Sequence, residues 1–124
     1  MKCGDTFLRP VAPTPTETPH LWVVVTNPNA EDLVLIVNFT SFKNWQDQTL
    51  MLNIGDHPFI TQQTLVFYRV AEIVDNKKLD EAEKAGVISK RESCSAALIQ
   101  LIRAGISASP QTRRVVKNFY NANK

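Results

Sequence analysis

Two short apolar runs dominate the hydrophobic pattern, Leu21-Trp22-Val23-Val24-Val25 and Leu33-Val34-Leu35-Ile36-Val37. A polar connector at residues 26–32 separates them. Both runs are nearly continuous, rich in β-branched residues and only a few residues long. That pattern predicts strands buried on both faces rather than helices. A third run, Thr64-Leu65-Val66-Phe67-Tyr68, follows the polar segment Gly55-Asp56-His57-Pro58-Phe59-Ile60. Three such strands within about fifty residues can close a small barrel or sheet. Polar residues at the strand ends are the first place to look for chemistry.

The flanking segments extend the pattern. Gly4-Asp5-Thr6-Phe7-Leu8 predicts a short first strand. Residues 10–19 hold four prolines and three threonines and predict an extended loop, because proline cannot donate to a ladder. Asn27-Pro28-Asn29 predicts a turn. Residues 49–54 alternate imperfectly and predict a partly exposed strand. Residues 71–74 extend the third run after a bend. The period then changes. Asp75 caps a short helix through Leu79 and Ala82 that Gly86 stops. Ser93 or Ser95 caps a stronger helix with Leu98, Ile99, Leu101, Ile102 and Ile106 at helical spacing. Ser109-Pro110 predicts the opening of a last helix carrying Val115, Val116 and Phe119. Strands first and helices last predict an α+β domain, a small antiparallel barrel with its helices at one end.

Composition narrows the class. The 124 residues predict one domain, 44% hydrophobic and 21% charged, which excludes a disordered chain. No apolar run approaches a membrane span, and the first residues lack the apolar core of a secretory signal, so a cytoplasmic protein is expected. Two cysteines, Cys3 and Cys94, make no disulfide framework and predict reduced thiols. Two histidines without a Cys-x-x-Cys predict no structural zinc and no other metal. The net charge of +2 is uneven. Arg103, Arg113, Arg114, Lys117 and Lys124 make the end of the chain basic, while the rest is acidic. Such a basic end suits a negatively charged partner, nucleic acid or an acidic peptide, and equally an ordinary solvated helix face.

In order and spacing, residues 4–107 resemble the MazF/PemK-like toxins of bacterial type II toxin–antitoxin pairs. Gly4-Asp5-Thr6-Phe7-Leu8 resembles their opening strand. His20-Leu21-Trp22-Val23-Val24-Val25 stands where they carry Arg-Pro and an apolar strand. Val37-Asn38-Phe39-Thr40-Ser41 resembles their strand ending in Thr-Ser, and Val74-Asp75-Asn76-Lys77-Lys78-Leu79 before Gly86 resembles their Asp-Lys-x-x-Leu segment. Residues 96–106 take the place of their closing helix. The basic helix in residues 110–124 lies outside the resemblance. The resemblance implies an SH3-like barrel, a homodimer, and metal-independent cleavage of single-stranded RNA without a cofactor. It also implies an acidic antitoxin covering the active groove. It carries phosphate-binding roles onto Thr40 and Ser41. The family's Arg position falls on His20, which is a departure.

Metal-free RNA cleavage needs a base for the 2′-OH proton, an acid for the leaving oxygen and donors for the phosphate charge. Histidine suits both proton roles because its unperturbed pKa is about 6.5. His20 and His57 are therefore the candidate pair, with Thr40 and Ser41 donating to phosphate and Asp56 orienting an imidazole. Arg9 and Arg69 are candidate phosphate charges, and Arg113, Arg114 and Lys117 candidate RNA contacts on the last helix. Trp45, in the loop after Ser41, is placed to stack on a base; by default such a residue belongs to the core or the barrel mouth. The alternative to an endoribonuclease is a non-catalytic barrel of the same family that binds a protein or RNA partner.

Overall fold

The computed structural model describes residues 1–10 and 19–124, so the proline-rich loop expected between the first two strands lies outside the described residues. The elements run β1 (Thr6–Arg9), β2 (His20–Val24), β3 (Leu33–Ser41), β4 (Met51–Leu52), β5 (Thr64–Asp75), α1 (Asn76–Lys84), β6 (Ser89–Arg91), α2 (Ala96–Ala108) and α3 (Arg114–Asn123). One curled, half-barrel antiparallel sheet holds all six strands in the order β4-β5-β3-β2-β1-β6. The protein is thus α+β.

The apolar runs become the sheet centre because both of their faces are covered. Leu21, Val23, Val25, Leu35, Val37 and Phe39 point to one side, where Leu98, Ile102 and Ile106 of α2 and Val116 and Tyr120 of α3 pack. Trp22, Val24, Val34 and Ile36 alternate to the other side, against Phe7, Ile88 and Leu79 of α1. A strand with period-two side chains and two covered faces reads as a continuous hydrophobic run. The helices therefore flank the sheet on both faces rather than gathering at one end, because α1 follows β5 directly and its Leu79 falls on the opposite face.

Local chemistry sets the boundaries. Asn29 Oδ1 accepts from the N–H of Glu31 and of Leu33, and Asp32 takes a left-handed φ of 58°, which closes the β2–β3 turn. The bend expected after Tyr68 is a break in register within one strand. Asn38 pairs with Phe67 but Ile36 pairs with Glu72, so β5 carries extra residues opposite Val37. Asp75 caps α1 by accepting from the Lys77 N–H, and Ser95, not Ser93, caps α2 by accepting from Leu98. The last helix begins later than Ser109-Pro110 predicts. Ser109 Oγ donates to the Asp47 carboxylate and accepts from the Gln111 N–H, so this segment forms a turn, and α3 starts at Arg114.

Candidate functional site: a cleft at the open end of the sheet

β2 begins, β3 ends and β5 begins at the same end of the sheet. Their antiparallel pairing brings residues 19–20, 39–43 and 59–64 together around a cleft of about 510 Å³. His20, Thr40 and Ser41, chosen from sequence, all line it. So do Lys43, Phe59 and Gln62, which sequence reasoning did not select. Their signal was weak: Lys43 stands two residues past Ser41, and Gln62 two before the strand that pairs with it.

The strand register orders the polar groups. Arg9 stands opposite His20 across β1 and β2. Trp22 stands opposite Asn38 across β2 and β3, the last pair of that ladder toward the cleft. Arg9, His20 and Thr40 therefore share one face of three neighbouring strands, since opposite residues of an antiparallel pair, and residues two apart along a strand, share a face. Ser41 lies on the other face at the strand end, where its Oγ accepts from Gln62 Nε2 at 3.0 Å.

The two histidines are held differently. His20 Nδ1 lies 3.1 Å from the Phe39 carbonyl. A carbonyl can only accept, so Nδ1 carries the proton. Nε2 then has no partner among the described residues and is free to accept or carry a second proton. His57 is only 4% exposed. Its Nδ1 accepts from the Phe59 N–H at 3.1 Å, which leaves the proton on Nε2, 2.7 Å from the Glu92 carbonyl. Both ring nitrogens are thus occupied within the chain, and the ring meets Phe39 edge-on at 6.4 Å between centroids. His57 is not among the residues lining the cleft. Asp56 does not orient it either: the Asp56 carboxylate accepts from the Asn53 N–H at 2.7 Å and closes its own turn.

The candidate RNA contacts scatter. Arg9 lies over the Trp22 ring, 4.1 Å from its centroid, and pairs with Glu72 at 2.8 Å. Trp45 is 76% exposed in the β3–β4 loop, with the Lys43 ammonium 5.5 Å from its ring centroid. It is therefore outside the core and beside the cleft. Arg69 is exposed where β5 shifts register and does not line the cleft. Arg113 donates to the Ala71 carbonyl at 2.6 Å and so fastens the start of α3 to β5. Arg114 is exposed and Lys117 partly so.

Asp47 anchors the loop that carries Lys43 and Trp45. Burial would raise its pKa, but hydrogen bonds from the Ser109 hydroxyl and from the hydroxyl and N–H of Thr49 outweigh it and hold it below the usual carboxylate value. The β3–β4 loop is thereby tied to the turn between α2 and α3. Among the described residues no group of three or more His, Cys, Asp or Glu is arranged to hold a metal. Among them, too, no helix is long and apolar enough to cross a membrane.

Compared with known protein families and with curated proteins, the chain matches none.

Proposed function

We propose that the chain is a toxin of the MazF/PemK-like kind, an SH3-like barrel that cleaves single-stranded RNA without a metal and is held in check by an acidic antitoxin. One observation carries the reading. His20 is fixed through Nδ1, with Nε2 unpartnered among the described residues, in a cleft that also holds two strand-end hydroxyls and Lys43. A neutral imidazole in that tautomer is a base at Nε2. Nε2 takes the 2′-OH proton, the 2′ oxygen attacks phosphorus, and the hydroxyls of Thr40 and Ser41 donate to the phosphate oxygens. Lys43 supplies charge that a histidine at the family's Arg position does not hold permanently. Trp45 stacks on a neighbouring base. His57 acts as a scaffold residue in this reading, and the leaving oxygen takes its proton from water. A homodimer in solution, with twice the 13.9 kDa chain mass, belongs to the same reading.

A specific observation favours a second reading, a non-catalytic barrel that binds RNA or a protein. His57 does not line the cleft and both of its ring nitrogens are bonded within the chain, so it offers no second imidazole for proton transfer. Cleavage of a labelled single-stranded RNA in excess chelator separates the two. The first reading expects chelator-resistant cleavage by the wild-type protein and its loss in His20→Ala, together with growth inhibition on expression. RNA retention without cleavage in both proteins would leave the binding module.

A further inference from the structure

Cys3 and Cys94 are far apart in sequence and close in the fold. β1 pairs with β6 so that Thr6 stands opposite Arg91 and Leu8 opposite Ser89. Cys3 itself lies in the turn that precedes β1, closed by the Asp5 N–H donating to the Lys2 carbonyl at 3.0 Å. The chains stay joined there: the Cys94 N–H donates to the Gly4 carbonyl at 2.9 Å, and the Thr6 hydroxyl donates to the Glu92 carbonyl at 2.7 Å. Cys94 is thus bonded to the residue next to Cys3, and a disulfide between the two requires Cα atoms roughly 4.4–6.8 Å apart.

Both sulfurs lie on the α2 side of the sheet. Cys3 Sγ donates to the Val25 carbonyl at 3.4 Å and accepts from Arg103 Nη1 of α2 at 3.5 Å. Cys94 packs against the core cluster that includes Val25, Leu98 and Ile102. Both thiols are free and neither is fully buried. Burial, and then the neighbouring Cys3 thiol, push Cys94 up to about 11.

We propose that Cys3 and Cys94 are an oxidative modification site, closing an intramolecular disulfide on reaction with a small disulfide such as oxidised glutathione. The Cys3 thiolate attacks one glutathione sulfur, the glutathione S–S bond breaks, and one glutathione leaves as thiolate. Cys94 sulfur then attacks Cys3 Sγ and expels the second glutathione. The protein dithiol loses two electrons and glutathione disulfide gains them; the two thiol protons end on the two glutathione thiols. The bridge ties the residues before β1 to the residue before the α2 cap Ser95. It lies at the opposite end of β1 from Arg9 and His20, so the cleft is untouched.

The test is titration of the full-length protein with oxidised glutathione, followed by intact mass, maleimide trapping and peptide mapping. Wild type should lose both thiols and two hydrogens, stay monomolecular in mass, yield a peptide linking Cys3 to Cys94, and recover with dithiothreitol. Its melting temperature should rise on oxidation, and that rise should be absent in Cys3→Ser and Cys94→Ser. Cys94→Ser should instead stop at one glutathione on Cys3. Persistent glutathione adducts on wild type, bridges between molecules, or two unreacted thiols would each overturn the proposal.

Discussion

The hydroxyl end of Tyr68 occupies the space that a side chain at Gly105 would need. Tyr68, on β5 and fully buried, donates to the Ile102 carbonyl of α2 at 2.8 Å. A Cβ at residue 105 would overlap the Tyr68 hydroxyl and Cζ and fall 2.8 Å from Cε2. A glycine within a helix interior, which costs helix stability, is therefore explained by the close approach of helix to sheet. Gly105→Ala should destabilise the protein by about 3 kcal/mol or more, the upper range for overpacking a rigid core. Urea unfolding of the single variants and of Gly105→Ala combined with Tyr68→Phe checks it. The double variant should lose less than the sum, since removing the hydroxyl removes one of the overlaps.

Alkaline pH should act on the same contact. Burial, and then the Asp47 carboxylate, raise the Tyr68 pKa well above its ordinary value of 10.0. The folded state thus binds the phenol proton more tightly than the unfolded state. This stability is fully present below the unfolded value and is lost as pH rises above it. Cys94, raised to about 11 from 9.0, acts in the same direction between those two values. Urea midpoints should therefore fall between pH 9 and 11. Absorbance of tyrosinate should show Tyr68 ionising only with unfolding, and Tyr68→Phe should flatten the upper part of the decline. An unfolding midpoint independent of pH across this range would contradict the assignment.

How far the fold was legible follows from which residues face the core. β2 and β3 could be read because Leu21 to Val25 and Leu33 to Val37 are apolar on both faces, and both faces are covered. β6 could not, because Ser89, Lys90 and Arg91 are all exposed on an edge and carry no periodic signal. The start of α3 was misplaced because Ser109 spends its hydroxyl on Asp47, 62 residues away, rather than on a helix cap. The site divides in the same way. His20, Thr40 and Ser41 stand at strand ends, where sequence reasoning looked first, and they line the cleft. The role of His57 depends on the Glu92 carbonyl, 35 residues away, which no local pattern announces.

Acid should loosen the loop beside the cleft. The Asp47 pKa is held down in the folded state, so its contribution is present above the unfolded carboxylate value and is lost as pH falls through the lower, folded value. Below about pH 4 the link to Ser109 should weaken. Asp47→Asn should cost roughly 1 kcal/mol at neutral pH, in keeping with a charge-assisted hydrogen bond that is partly solvated. It should also flatten the acid limb of the urea midpoint against pH. An acid limb identical to wild type would assign that limb to other carboxylates.

Within the proposed function, Glu72 should restrain RNA binding. Arg9 is the register partner of His20, yet its guanidinium is paired with Glu72 at 2.8 Å and laid over Trp22. Glu72→Gln removes the competing charge and leaves Arg9 free to meet a phosphate beside His20. The log–log salt slope of single-strand binding should steepen by up to about 0.7, the value of one added phosphate contact. Arg9→Gln should abolish the gain in the double variant. An unchanged slope in Glu72→Gln would leave Arg9 as a structural cation over Trp22.

The two histidines should separate chemistry from stability. His57 makes two internal hydrogen bonds and packs on Phe39, so His57→Ala should cost about 2 kcal/mol or more, as breaking a buried polar network does. Any cleavage that it retains should be normal per folded molecule. His20→Ala should leave the urea midpoint nearly unchanged, because His20 is only partly buried and makes one bond to Phe39. It should slow cleavage by roughly 10²-fold or more, the usual contribution of an acid–base group. His20→Arg is the discriminating variant. If the position serves the reaction by titrating at Nε2, arginine abolishes cleavage while preserving RNA binding; if it serves only by charge, arginine preserves or raises cleavage.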